Sequence, residues 1–239
     1  MRSLVAALFV LVGCGACPPR ARCPAVRAAP EAPQPTPTTE MAGAWVLSAL
    51  GEAEVSWMLR IAGEQVVSEW PSRGVSPSIE LLEAAGGTLL RMSDGGETRD
   101  LLWRDIGPDR ALLLMAGADM MLLARRRGPV PRAIQGEWVV TAPDGDPVRR
   151  MEFASNSVQM LTVSGEQREG EAAGLGVEGP GRFALMLAVD SPMGRRPGVL
   201  LLQEVEPDVY SMFPVGEERD YEVLHRPGAR PAWLGSEVR

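Results

Sequence analysis

Two stretches of this chain open alike. Gly43-Ala44-Trp45-Val46 is answered by Gly136-Glu137-Trp138-Val139, 93 residues further on. Later stretches also match in order: Asp105-Ile106-Gly107-Pro108-Asp109 with Glu204-Val205-Glu206-Pro207-Asp208, and Gly117 to Arg127 with Gly216 to Arg226, both displaced by 99. Ordered matches across two halves imply a duplicated unit, in which each copy must bury a core of its own. The copies span 43–127 and 136–226, a size that folds with a modest margin. Stacked repeats usually need three or more copies, so two small self-standing domains are expected, with a single two-lobed barrel as the other arrangement. The difference in offset asks for longer loops in the second copy, in the glycine-rich 165–181 or the turn 191–198.

Within each copy the apolar residues alternate with period two. Val55, Trp57, Leu59 and Ile61 share one face of a strand, and Ala62-Gly63-Glu64 turns the chain into Gln65–Trp70. Short β-like runs follow at 78–83, 88–92, 98–103, 111–115 and 120–126, separated by Gly, Asp and Pro. Of these, 78–85 also fits a helical turn. In the second copy Met151 and Phe153 precede a Ser155-Asn156 turn, Phe183, Leu185, Leu187 and Val189 alternate cleanly, and strands at 199–205, 209–213 and 221–224 complete an antiparallel set. The fold class is therefore all-β, with two tandem small antiparallel barrels or sandwiches. A joint at 128–135 carries Pro129 and Pro131, and a tail, 227–239, follows the second copy.

A Gly-x-Trp at the first strand, a short meander and this domain length together resemble the small lipocalin-like domains of bacterial lipoproteins. Trp45 and Trp138 are repeat-equivalent, so one packing role accounts for both. Trp57, Trp70 and Trp103 occur only in the first copy and serve either its core or an interface, where aromatic residues are enriched. Trp233, in the tail, is expected to cap one barrel end.

The amino-terminal segment sets the expected location. Arg2 precedes an apolar run, Leu4 to Val12, that is too short to span a bilayer but has the order of a signal peptide. Leu11-Val12-Gly13-Cys14 resembles the cleavage box of bacterial lipoproteins, which implies removal of residues 1–13 and a diacylglycerol and an acyl chain on Cys14. Multiple chains are what stable lipid anchoring requires. An ordinary secretory signal peptide is the other reading. Gly15 rather than Asp follows the cysteine, so the resemblance favours the outer membrane of the bacterial envelope. Residues 14–42 then form a lipid anchor and a linker, with prolines at 18, 19, 24, 30, 33, 35 and 37 that preclude a packed core and favour an extended spacer. Cys17 and Cys23 are either a local disulfide, permitted in an exported protein, or free thiols.

Composition narrows the chemistry. The formal charge is −7, all 24 basic residues are arginines, and no basic tract exists to neutralise phosphates, so a nucleic-acid partner is not expected. His225 is the single histidine and is expected at a strand edge on the surface; alone it builds neither a zinc site nor a Ser-His-Asp relay. Nucleotide-binding glycine fingerprints are missing too, and no cofactor or metal is expected. Carboxylate pairs remain: Glu52 and Glu54, Asp144 and Asp146, Glu204 and Glu206. Asp144-Gly145-Asp146 reads as a β-turn rather than a calcium loop.

Three functions fit these features. The first is a membrane-anchored, non-enzymatic lipoprotein that binds a protein or envelope component. The second is a lipocalin-like carrier of a small apolar ligand, which requires an unfilled pocket. The third is a carboxylate-based envelope hydrolase, whose mark would be an acidic cleft with a raised pKa.

Overall fold

The computed structural model describes residues 41–70, 77–84, 87–94, 96–115, 117, 120–190, 194–217 and 220–234. The leader, Cys14, Cys17, Cys23, most of the proline-rich linker and the end of the tail lie outside them. The described residues form sixteen strands in two antiparallel sets of eight, and no helix among them is long and apolar enough to cross a membrane.

The first set comprises β1 (Gly43–Ala49), β2 (Val55–Ala62), β3 (Gln65–Trp70), β4 (Ser78–Ala84), β5 (Gly87–Asp94), β6 (Glu97–Gly107), β7 (Arg110–Met115) and β8 (Met121–Arg126). Its order is β3-β2-β1-β8-β7-β6-β5-β4, so β8 returns to β1 and the end strands β3 and β4 lie near each other. The ambiguous 78–85 segment is a strand, held by the register Leu81 to Leu90 and Ile79 to Met92.

The second set comprises β9 (Gly136–Thr141), β10 (Pro147–Phe153), β11 (Ser157–Thr162), β12 (Gln167–Gly179), β13 (Arg182–Val189), β14 (Arg196–Glu206), β15 (Val209–Pro214) and β16 (Glu222–His225). It is a closed barrel in which each strand pairs with the next and β16 pairs with β9. The two sets thus share one up-and-down topology, as the internal repeat requires.

Period-two alternation fills each interior. Trp45, Leu47, Leu59, Ile61, Leu90, Leu101, Trp103 and Leu113 form the first core. Trp138, Val140, Met151, Phe153, Leu185, Leu202, Tyr210 and Leu224 form the second. Strand register makes Ala111 the counterpart of Tyr210, and Trp103 that of Leu202. A large ring packs edge-on against the repeat tryptophan in both, Trp103 at 4.9 Å from Trp45 and Tyr210 at 5.5 Å from Trp138, but it comes from β6 in one barrel and β15 in the other. Core volume is conserved by exchanging large and small residues between adjacent strands.

Four sequence expectations are corrected. Val55 does not share the inward face of Trp57, Leu59 and Ile61, because the β1–β2 register slips at Leu47/Ser48 and turns Val55 outward. Of the two places expected to lengthen, the glycine-rich 165–181 is mostly the long strand β12, while the connection from β13 to β14, 190–195, is longer than 95–96 between β5 and β6. The β12 glycines admit close backbone: a Cβ at Gly170 would meet the Ala188 carbonyl oxygen at 2.5 Å, and one at Gly174 would run into the Pro129 carbonyl. The final strands align at 100, not 99, because Arg126 stands opposite Trp45 while the β16 register carries Arg226 to Trp138. Between matched rungs, Leu113 with Leu122 and Met212 with Glu222, the second copy holds one residue more. Finally, His225 is not on the surface. It is 4% exposed, bonds the Thr141 hydroxyl through Nε2 at 2.9 Å, and lies on an outer wall where Val209 and Val223 are covered by Leu234 of the tail.

The barrels share a third apolar cluster. Val46, Val55 and Met58, on the outer wall of β1 and β2, pack against Ala173, Leu175, Ala184, Met186, Val199, Leu201 and Phe213 on the outer wall of β12–β15. Backbone bonds join them as well: Gly128 and Gly174 exchange bonds of 2.9 and 3.0 Å, and Val199 donates to Ala53 at 2.7 Å. At one margin Arg125, 5% exposed, pairs with Glu178 at 3.1 Å, and Arg110 reaches the same carboxylate at 3.1 Å. Burial lowers the Arg125 pKa, and the Glu178 charge opposes that shift.

Candidate functional site

One end of each barrel is shut by repeated chemistry. Trp45 Nε1 donates to Met41 O at 2.7 Å, and Trp138 Nε1 to Ile134 O at 2.6 Å. Arg126 lies over the Trp45 ring at 4.7 Å and Arg226 over Trp138 at 3.8 Å. Each arginine also ties down the preceding segment, Arg126 through Ala42 O and Arg226 through Ala133 O. The turn before each first strand therefore acts as a stopper, with Met41 and Ile134 buried in the respective cores.

The opposite ends differ. In the second barrel a cavity of about 520 Å³ opens among Pro143, Arg149, Leu200, Met212, Phe213, Pro214, Asp220, Tyr221 and Glu222. In the first, the corresponding end holds about 80 Å³, bounded by Trp57, Pro77, Met92, Glu97 and Arg99. Register explains the contrast. Trp57 stands opposite Leu47, as Arg149 stands opposite Val140, which makes Trp57 the counterpart of Arg149. Leu122 is likewise the counterpart of Glu222, since Leu113 faces Leu122 across β7 and β8 while Met212 faces Glu222 across β15 and β16. An indole and a leucine fill the first mouth, whereas the second carries an ion pair.

That pair sits inside the wall. Arg149 alternates along β10 with Met151 and Phe153, both in the core. Its Nη1 donates to Glu222 Oε1 at 2.8 Å and its Nη2 to Oε2, a two-pronged contact with side chains only 21% and 28% exposed. The Nε–H of Arg149 is buried and has no acceptor among the described residues. Below the pair, Phe153, Val158 and Tyr210 fill the barrel, so the cavity is a cup at the mouth rather than a deep channel. The sequence pattern missed both residues, because two successive arginines, Arg149 and Arg150, interrupt the alternation of β10 and hide which of them faces inward. Their signal lay in the comparison of the copies, once register was known.

Other sequence candidates lie elsewhere. Trp103 is in the first core and Trp57 packs half-buried against it, while the Trp70 side chain is outside the described residues. Trp233 lies on the surface and donates to Glu206 at 2.8 Å; among the described tail residues Pro231 and Leu234 are buried instead. Glu52, Glu54, Asp144, Asp146, Glu204 and Glu206 are all exposed, and Asp144 closes a turn by accepting from the Asp146 N–H at 3.1 Å. The carboxyls with displaced pKa values, Asp100 and Glu166, are held low by their hydrogen bonds to Arg91 and Arg168. No cluster of metal-ligating side chains occurs among the described residues. A second hollow, about 310 Å³, lies on the outer face of β9–β11 and has a mixed lining, with Glu137, Arg150, Glu152 and Gln159 beside Val139, Leu161 and Pro227.

Comparison with known proteins finds no matching family model, no matching curated protein and no matching solved structure.

Proposed function

We propose that this chain is a non-catalytic, lipocalin-like binding protein whose second barrel receives a small, largely apolar ligand at its open end. The supporting observation is the cup of about 520 Å³ over Leu200, Met212 and Pro214, in a barrel closed at its other end by Trp138 and Arg226. Its volume lies within the roughly 300–1,000 Å³ usual for small-molecule sites. The first barrel, with Trp57 in its mouth, is a companion rather than a second carrier. The reading also keeps the protein at the bacterial envelope, held by lipid on Cys14 and spaced from the membrane by the proline-rich segment.

Binding of Nile red, an uncharged dye that brightens in apolar surroundings, tests this reading. The protein is expected to bind one dye per chain, and Leu200→Trp, which fills the cup, is expected to weaken binding at least about tenfold, or about 1.4 kcal/mol. Equal binding by both proteins overturns the assignment.

A second reading, contact with a protein of the envelope, is favoured by the exposed residues Leu50, Leu114, Met120 and Met121 on the first barrel. Leu114 pairs with Met121 across the β7–β8 ladder, and Leu50 N donates to Met121 O, so the patch is continuous. Loss of a crosslinked envelope partner on Met121→Glu, with dye binding intact, would select this reading.

A further inference from the structure

We propose that the mouth of the second barrel selects uncharged amphipathic molecules, such as an acylglycerol or a long-chain alcohol, and rejects the corresponding carboxylates. The proposal rests on the ligand-site reading above and concerns which chemistry that site accepts.

The argument begins with the repeat. At two matched interior positions the first barrel has Trp57 and Leu122, and the second has Arg149 and Glu222. A barrel of this topology therefore closes its mouth perfectly well with apolar residues. Replacing them by a partly buried ion pair gains little stability, because desolvation offsets most of the attraction. Where a local packing rule is broken without structural benefit, function is the usual reason.

The geometry of the pair then sets the selectivity. Barrels that capture carboxylates need a guanidinium free to receive them. Here both terminal nitrogens of Arg149 are committed to Glu222. An incoming carboxylate finds the two-pronged face of the guanidinium already taken and would lie beside the Glu222 charge and near Asp220 at the rim. Among the described lining residues the cationic group is Arg149 and the anionic groups are Glu222 and Asp220, so the site is net negative before a ligand arrives. A neutral head group meets no such penalty: a hydroxyl can donate to the Glu222 carboxylate, and an ester carbonyl can accept from the guanidinium edge. Leu200, Met212 and Pro214 supply the apolar wall for the chain of such a molecule.

The test is competition against Nile red on the full chain, with monolaurin and laurate as matched ligands, below their self-association concentrations and at about pH 8, where a carboxylic acid is ionised. Monolaurin is expected to displace the dye, and laurate to do so at least about tenfold more weakly. Glu222→Gln frees the guanidinium and is expected to narrow the preference for monolaurin over laurate about tenfold. Asp220→Asn, at the exposed rim where folding is not at stake, is expected to improve laurate about two- to threefold. Laurate competing as well as monolaurin in the parent, or a preference unchanged by both substitutions, overturns the selectivity. Failure of Nile red itself to bind would instead overturn the ligand-site reading beneath it.

Discussion

Arg226 lies with its guanidinium carbon 3.8 Å from the centre of the Trp138 ring, clamping the last strand of the second barrel to the first. The same side chain donates to the carbonyls of Ala133 and Glu137, so it also pins the segment that stops the barrel end. Arg226→Ala should lower stability by about 2–3 kcal/mol, combining a partly desolvated cation–π contact with lost charge-assisted bonds. Arg226→Lys should recover less than half of this, since an ammonium cannot stack and fork together. Urea unfolding of the three proteins checks both values.

Glu178 is the counter-charge that makes burial of Arg125 tolerable. Glu178→Ala leaves Arg125 and Arg110 facing each other at the junction of the barrels, and a loss of about 3 kcal/mol is expected. Arg125→Met with Glu178→Met should restore most of it. Equal destabilisation in the single and double variants would show that the pairing is unimportant.

Gly174 permits the two-way backbone bridge to Gly128. A methyl group there would strike the Pro129 carbonyl oxygen. Gly174→Ala should therefore loosen the junction while leaving each barrel interior intact. The expected signature is faster amide exchange at Gly128 and Val199, with slow exchange retained at Val140 and Leu224.

Tyr210 is raised above its ordinary pKa of 10.0, first by burial and then by the nearby charges of Glu204 and Asp208. Its proton is therefore held more tightly in the folded state, and the associated stability is complete below about pH 10 and lost as pH rises through the folded value. The chain has no lysine to obscure this range. Tyr210→Phe should flatten the alkaline part of the stability profile, and ultraviolet titration of phenolate should show one late tyrosine in the parent.

Cys14 is the proposed lipid attachment point. In a bacterial host fed an alkyne-bearing fatty acid, the parent should be labelled and partition with membranes, whereas Cys14→Ser should be unlabelled. A labelled serine variant would refute the anchor.

The topology was legible because apolar residues at alternate positions can be buried in only one way. Trp57 to Ile61 and Phe183 to Val189 have that pattern, and both face inward as expected, whereas Val55 lies beyond a slip in the β1–β2 register and faces the second barrel. Gly165 to Gly181 was not legible, since glycines chosen for close backbone approach look the same in one dimension as glycines chosen for a loop. His225 was misplaced for a different reason: it does end a strand, but the tail that covers its wall has no periodicity to announce it. The mouth of the second barrel was hidden by distance along the chain, because Arg149 and Glu222 lie 73 residues apart and become a pair only once β9 separates β10 from β16 by a single strand.

The contact between the barrels joins unlike faces, the outside of β1–β2 to the outside of β12–β15. Duplicated units joined head to tail could in principle continue, since each barrel retains a copy of the face its neighbour used. Register shows why this pair ends itself. Where the second barrel presents Met186 beside Val199, the first presents the Arg91–Asp100 ion pair, and where the first presents Met58 the second presents Arg150. The outward faces have diverged into one adhesive pair and one charged pair, so the face that joins the two barrels is not repeated on the other side of either.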